Sequence, residues 1–431
     1  MQRRDFLHYL SAGAAVGMMA PFGNVLAAGS VTMPGNTGAN GRVVVIGGGM
    51  AGTTVAKYLR LWGGTGVQVT LVEPNPSYIS NIFSNKVLTG ERTLTQLTYK
   101  YGTLTSKYGV KLITKSVVAI DPTGQQVLLN DGSKLPYDRL VIAPGIAFDA
   151  LPMSGTAAAQ AKVVHAWQAG AQTTSLQTQI KAMTKTDTFI LTIPAKPYRC
   201  PPGPYERACV VADYLTRTAK TKGAKVVVLD ANPGIQAEVE NFTNAFKNIH
   251  KNITYVPSAA ITSIDANTGM VNTSAGSFKG KVINAIPPHK AGKIITDNPL
   301  LASAGGRWAG VNVLSYESNT VPNIHIIGDA AATTQPKAGH VANAEAKVCA
   351  DAIVHLLRGE AVNPSPMTNS ACYTPITNKT ASWLSVVYRY DSASGTMLPT
   401  GNGVTESSGI NAKNHEEMLK WFSNLMSDTF A

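Results

Sequence analysis

The chain has 431 residues, 44% hydrophobic and 14% charged, and 37 Lys and Arg against 25 Asp and Glu give it a formal net charge of +12. That length suits a large soluble enzyme of two or three domains, and no apolar run beyond the N-terminal region reaches the ~20 residues of a membrane helix. Excess positive charge favours acidic partners or substrates, but the basic residues are scattered. Their densest group, Arg217, Lys220, Lys222 and Lys225, reads as a solvated helix end, so nucleic acid is not implied.

Residues 1–28 carry Arg3-Arg4-Asp5-Phe6-Leu7, an apolar run from Tyr9 to Ala20, and small residues at Ala27 and Ala28. This is the pattern of a signal peptide, and the paired arginines with Phe-Leu resemble a twin-arginine signal, which predicts a periplasmic location. Gly29 to Asn40 reads as a flexible mature N-terminus. From Gly41 to Glu73 the chain builds a dinucleotide grip: a β-branched strand from Arg42 to Ile46, glycines 47, 49 and 52 on G-x-G-x-x-G, a helix with Val55, Tyr58, Leu59 and Trp62 on one face, and a second strand from Val67 to Val72. Gly47 allows the tight turn, Gly49 admits a pyrophosphate, and Gly52 lets helix approach strand. Met50 and Ala51 open the helix, whose N–H groups face the phosphates. Glu73, 21 residues past Gly52, is placed for a ribose hydroxyl.

The loop Tyr78 to Asn85 follows, then short strands between Val110 and Ile120. Leu135 to Gly145 supplies a buried strand and a small-residue turn through Ala143 and Gly145. Ile324 to Ala330 repeats strand and turn and ends at Asp329, an acid suited to a ribityl hydroxyl. Lys337, or the helix that follows it from about Val341, is placed to stabilise negative charge on a flavin. A second acidic turn favours FAD over NAD. Between these segments, Thr188 to Ile193, Tyr205 to Thr218 and Lys225 to Asp230 read as strand, helix and strand of a second doubly wound domain. Its first turn holds Pro201, Pro202 and Pro204 where a phosphate turn needs N–H donors, so no nicotinamide site is expected.

Four cysteines occur. Cys209 and Cys349 sit in helical patterns as small core hydrophobes, whereas Cys200 and Cys372 read as irregular backbone. Glu206 reads either as a helix-start acid or as a general base near the Cys200 thiol. No C-x-x-C-H is present, and no Cys/His cluster has metal-site spacing. Near the C-terminus, Leu384, Val386, Tyr388 and Tyr390 alternate on one strand face. Leu419, Phe422, Leu425 and Met426 form a helical stripe open to three readings: core, docking surface or membrane foot.

The twin-arginine start, the FAD fingerprint, Cys200-Pro201-Pro202-Gly203-Pro204-Tyr205-Glu206-Arg207, the turn Asn284 to Gly292, Gly328-Asp329, Cys372-Tyr373, Trp421 and Asp428-Thr429-Phe430 resemble the flavoprotein subunit of flavocytochrome c sulfide dehydrogenase. The resemblance implies a redox-active disulfide between Cys200 and Cys372 beside the flavin, sulfide as substrate, and a c-type cytochrome subunit as heterodimeric acceptor. Trp421 matches a family aromatic near the flavin, or is a core tryptophan. The family commonly tethers FAD through a cysteine where this chain has Asn81, so non-covalent FAD is expected here. A peripheral sulfide:quinone oxidoreductase and a redox accessory protein for a sulfur carrier are the alternatives. The expected fold is α/β: two doubly wound dinucleotide-binding-type domains, resembling FAD-dependent disulfide reductases, plus a C-terminal α+β interface domain. The expected segments are 1–28 (signal), 29–150 and 281–350 (FAD domain), 151–280 (second Rossmann-like domain) and 351–431 (interface domain).

Overall fold

Short β-branched strands alternating with longer helices build the sheet that carries the glycine turn. The computed structural model describes residues 33–401 and 403–431, so the signal peptide expected at 1–28 lies outside the described residues. Strand β1 (Gly41–Ile46) runs into helix α1 (Met50–Gly63), and β2 (Val67–Val72) and β3 (Arg139–Ile142) pair in parallel on either side of β1. Val43, Val44 and Val45 are all buried, the unbroken apolar run of a strand covered on both faces.

The chain then forms a second parallel sheet. Strands β4 (Thr188–Ile193) and β5 (Lys225–Asp230) are joined through helix α2 (Gly203–Arg217), and β6 (Ile253–Val256) and β7 (Val282–Ala285) flank them in the order β6-β5-β4-β7. Strand β8 (Ile324–Ile326) then returns to the first sheet, parallel to β3, and helix α3 (Gly339–Leu357) packs beside α1. Strands β9 (Met367–Pro375) and β10 (Ala381–Asp391) pair antiparallel over nine residues without a register shift, and helix α4 (Ala412–Phe430) closes the chain. This is the expected α/β class with its α+β C-terminal part.

Several local expectations change. Cys372 lies within β9, opposite Leu384, rather than in irregular backbone; pairing with β10 overrides the weak strand propensity of Asn369-Ser370-Ala371-Cys372. Trp62 is 38% exposed, tilted at 58° to the Tyr58 ring with centroids 4.8 Å apart, instead of facing the core with Val55 and Leu59. Of the α4 stripe, Phe422, Leu425 and Met426 are buried in the cluster that contains Val386 and Tyr388 of β10, with Met418 beside them, and Leu419 is half-buried against it. Among the described residues no helix is long and apolar enough to cross a membrane. Cys209 and Cys349 are buried in separate apolar clusters, so they do not pair.

The glycine turn is constrained by contact as much as by conformation. Gly47 has φ +98°, and a Cβ there would lie 2.4 Å from the Ala143 carbonyl oxygen. At Gly52, on the inner face of α1, a Cβ would lie 1.8 Å from the Gly47 carbonyl oxygen. Both obstacles are backbone. Gly52→Ala should therefore cost at least the ~1–3 kcal/mol of overpacking and lower the thermal midpoint, and an unchanged melt would show that α1 can move off the turn.

Candidate functional site

The first sheet, the α2 turn and β9 enclose a cavity of about 770 Å³, within the ~300–1,000 Å³ of small-molecule sites. Gly47, Gly49, Met50 and Ala51 form one wall, Ala143 and Gly145 the next, and Glu73 marks the far end. Gly52 stands behind the turn. A Cβ at Gly49 would have nothing nearer than a Tyr78 ring carbon at 3.9 Å, so the backbone there is open to a ligand. Helix α1 has no side-chain cap, which leaves its first N–H groups for phosphate oxygens. The Glu73 carboxylate accepts the Gly48 N–H at 2.8 Å through Oε2 and both Asn75 donors through Oε1, which fixes it while lone pairs remain for a ribose hydroxyl.

Asp329 also lines the cavity, and its Oδ1 is buried with no hydrogen-bond partner among the described residues. Burial raises its pKa, against the opposing charges of Arg199 and Lys337. A ribityl hydroxyl would satisfy this orphaned acceptor. Helix α3 begins at Gly339 without a side-chain cap, and Ala338 and Gly339 line the cavity. The residues present therefore fit a flavin dinucleotide.

Three expected contacts are placed differently or more specifically. The Lys337 ammonium is not on the cavity wall: it donates to the Ala331 carbonyl at 2.9 Å and lies 3.9 Å from the Trp308 ring centroid, so the expected stabiliser of flavin charge is the α3 N-terminus alone. Lys337 contributes its carbonyl instead, which accepts the Cys200 N–H at 2.7 Å. Asn81 lines the cavity and its Oδ1 accepts the Ala169 N–H at 2.8 Å, tying its loop to the segment before α2. Trp421 reaches the cavity from α4, its indole N–H buried without a partner, and stands 5.6 Å from the Tyr373 ring.

Cys200 and Cys372 line the same cavity, and all four cysteines are free thiols. Cys200 has φ +60°, uncommon for a residue with a side chain. Its carbonyl accepts the Gly203 N–H at 2.9 Å. Gly203 has to be glycine, because a Cβ there would lie 2.9 Å from the Cys200 sulfur and 3.0 Å from the Trp167 ring. Burial raises the Cys200 pKa, and the charges of Cys372 and then Glu206 raise it further, so the two thiols and the carboxyl share one field. Burial pushes Cys372 up to about 12, with Glu238 the largest charge acting on it.

Glu206 is on the cavity wall, where Asn85 Nδ2 donates to its Oε1 at 2.8 Å, and burial raises its pKa to about 7. Beside it is a residue the sequence reading missed. Arg207, 1% exposed, donates to Asn85 Oδ1, Asn284 Oδ1 and the carbonyls of His165 and Ala166 at 2.7–2.9 Å, and lies 4.5 Å from the Trp167 ring centroid. Asn85 is thus oriented by the guanidinium and orients Glu206 in turn. The helix pattern did not mark it out, since α2 also carries Glu206, Asp213 and Arg217. Glu238, also missed, is buried, its Oε1 accepting the Thr374 hydroxyl and its Oε2 the Ser382 hydroxyl.

The second sheet has its own acid at the strand end, Asp230, but its oxygens are occupied. Tyr205 and Tyr255 hydroxyls donate to Oδ2 at 2.7 and 2.8 Å, and Asn232 donates to Oδ1. No free carboxylate is left there for a second ribose.

Residues 173–287 match the family described as sulfide dehydrogenase (flavocytochrome c) flavoprotein chain, central, and residues 364–430 match flavocytochrome c sulphide dehydrogenase, flavin-binding. The sulfide dehydrogenase (flavocytochrome c) flavoprotein chain of Chlorobaculum thiosulfatiphilum is 50% identical over 46 residues, 11% of this chain and 94% of that sequence. The chain belongs to the flavocytochrome c sulfide dehydrogenase flavoprotein family. It is a flavoprotein, and its cofactor is FAD. Ferroptosis suppressor protein 1 of Taeniopygia guttata is 36% identical over 106 residues, 24% of this chain and 26% of its own length. The matched stretch covers 15% and 30% of two further curated relatives. The solved sulfide:quinone oxidoreductase of Aquifex aeolicus has the same fold, with a TM-score of 0.72 at 19% identity over 90% of this chain and 91% of that one.

The buried acids and histidines set a pH optimum for stability. Burial raises Glu206 and Glu238 to about 7 and Glu345 to about 8, from an ordinary value of 4.5. Their contribution is complete below 4.5 and is lost as pH rises through 7 to 8. His165 and His289, lowered by burial to about 4 and about 3 from 6.5, contribute fully above 6.5 and lose that contribution as pH falls towards those values. The melting temperature of the cofactor-free protein should therefore fall from about pH 6.5 to about 8.5, and fall again below about pH 4.5. A rise across the alkaline window would contradict this assignment.

Proposed function

We propose that the protein oxidises sulfide through a Cys200–Cys372 disulfide and passes the electrons, by way of FAD, to a c-type cytochrome subunit in the periplasm. The observation that carries this reading is the convergence of two cysteines, 172 residues apart, on the wall of the dinucleotide cavity with a carboxyl that titrates near neutrality.

Hydrosulfide is a strong nucleophile and opens a disulfide by thiol–disulfide exchange. Its sulfur bonds to one cysteine sulfur, the S–S bond breaks, and the other cysteine leaves as a thiolate. The proton of the new S–S–H group needs an acceptor. Glu206, which the Asn85 amide holds in place and whose pKa lies near 7, has the reach and proton affinity for that task. Bound FAD supplies a two-electron acceptor able to release its electrons singly, which is what a haem requires. The positive ends of α2 and α3 favour an anionic sulfur species in the cavity. Trp167 lies beside Gly203 and over the Arg207 guanidinium, and its indole N–H donates to the carbonyl of Arg199, the residue before Cys200, at 3.2 Å.

Asn81 cannot form a thioether, and the first cysteine of the chain is Cys200, so FAD is held without a covalent bond. Acid precipitation should release it into the supernatant. Flavin kept in the washed pellet would refute that. For the cysteines, either Cys200→Ser or Cys372→Ser should leave FAD bound while sulfide no longer bleaches its absorbance in stopped-flow mixing. A merely structural bridge behaves otherwise, since its loss costs ~2–5 kcal/mol of stability but leaves the chemistry of the folded molecules intact. Wild-type bleaching rates in either folded variant would remove the cysteines from the reaction. Recovery of oxidised flavin on adding cytochrome c, and not on adding a quinone analogue, identifies the acceptor class.

A further inference from the structure

Residues 164–169 run irregularly along the cavity, and side chains from several parts of the chain hold their backbone in place. Asn284 of β7 donates to the carbonyls of Val164 and His165 at 2.6 and 2.8 Å, Arg207 of α2 to those of His165 and Ala166, and Arg199 to that of Trp167. Gln172 Oε1 accepts the N–H groups of His165 and Ala166, and Asn81 Oδ1 accepts that of Ala169. Ala166 is left-handed at φ +45°, a conformation that persists in a residue with a side chain only where the surroundings over-determine it. Most connecting loops are loose and lie over the surface. This one is fixed at nearly every backbone group. Trp167, Gln168 and Ala169 line the cavity, and Gln168 is also exposed, which places the stretch at the cavity mouth. Trp167 itself is 5% exposed. Its indole N–H is bonded to the Arg199 carbonyl and its ring centroid lies 4.5 Å from the Arg207 guanidinium, so the ring cannot swing aside without breaking both contacts. A Cβ at Gly203 would lie 2.9 Å from the Cys200 sulfur and 3.0 Å from that ring, so a single carbon there would touch both.

We propose that this loop is a fixed size filter at the cavity mouth: Trp167 admits a small inorganic sulfur nucleophile to Cys200 and excludes organic thiols of the size of glutathione. This rests on the reading of Cys200 and Cys372 as the couple that sulfide opens. Selection by size is what that chemistry lacks on its own. Hydrosulfide and an organic thiolate attack a disulfide in the same way, so the exchange step does not tell them apart, and an enzyme that takes only the former needs a steric barrier beside the sulfur. A barrier of this kind works only if it does not yield, which accounts for the many side chains spent on one short loop. Arg207 serves both ends of the device, since the guanidinium that holds the loop and the Trp167 ring also orients Asn85 towards Glu206.

The test uses the FAD-loaded Cys372→Ser protein, in which Cys200 has no disulfide partner and stays a thiol. Labelling of Cys200 is followed by peptide mass with iodoacetamide, a small reagent, and N-phenylmaleimide, a bulky one, each rate being divided by that of the same reagent with free glutathione. On this scale the maleimide should be severalfold slower than iodoacetamide. Adding Trp167→Ala should raise the maleimide rate severalfold and leave the iodoacetamide rate close to its former value. If the alanine variant does not fold, Trp167→Phe takes its place: it keeps a ring against Arg207, gives up the indole N–H and part of the bulk, and should produce a smaller rise confined to the maleimide. The proposal is overturned if the maleimide is not slowed while Trp167 is present, if the variants change neither rate, or if both rates rise equally, as a merely loosened loop would make them. Labelling requires neither a disulfide nor sulfide, so failure of the redox couple shows separately, as a wild-type flavin that sulfide does not bleach.

Discussion

The Cys200 N–H bonds to the Lys337 carbonyl at 2.7 Å, and the two residues lie in irregular segments that follow strands of different sheets. Lys337 leads into α3 on the flavin side, and Cys200 opens the turn before α2 on the other, so this bond fixes how near the thiol stands to the dinucleotide cavity. The left-handed backbone at Cys200 and the absence of a Cβ at Gly203 follow from it. The chain must reverse sharply after meeting Lys337 and start a helix with its N-terminus against the sulfur it has just placed. The strain is local, and it is sustained because the Lys337 carbonyl, Gly203 and the Trp167 ring each constrain the same residue.

The polar groups around this turn form a connected set rather than isolated pairs. Arg207 is buried without a direct acidic partner, and its charge is spread over two carbonyls, Asn85 and Asn284. Burial lowers its pKa to about 9, still above neutrality, so it stays cationic while Glu206 next to it titrates near 7. Such an arrangement gives an acid that can hold or release a proton at small cost, under a positive field that does not itself titrate. Fixing Asn85 in one orientation matters here, because its amide nitrogen must face Glu206 and its oxygen Arg207.

The parts of the molecule legible in the sequence are those whose cause is local. The G-x-G-x-x-G turn, the strands on either side of it and the acid at Glu73 are fixed by short-range geometry, and so is the second strand-and-turn at Asp329. Cys372 was misread because Ser370, Ala371 and Pro375 give no strand period, and only the partner strand imposes one. Lys337 was misread because proximity in sequence to a helix start says nothing about where a long side chain turns, and the Trp308 face offered a nearer place for its charge. Arg207 and Glu238 were invisible for the same reason: their partners, Asn85 and Thr374 among them, are 122 and 136 residues away.

The second sheet keeps the plan of a nucleotide domain while its binding positions are spent on its own side chains. Tyr205 and Tyr255 occupy Asp230, and Pro201 and Pro202 lead into α2. What that plan still supplies is a helix N-terminus aimed at the cavity. Helices α1, α2 and α3 all begin there, with Met50, Gly203 and Gly339 on its wall, and none has a side-chain cap. Each therefore directs a partial positive charge inwards. The free N–H groups at the starts of α1 and α3 would face the pyrophosphate and the isoalloxazine of a bound FAD, whereas in α2 the Gly203 N–H is taken by the Cys200 carbonyl and Pro204 has none. Glu206 stands in the first turn of α2, where burial raises its pKa while the Asn85 hydrogen bond and the charges of Lys86 and Arg207 lower it, and the balance leaves it titrating at about 7.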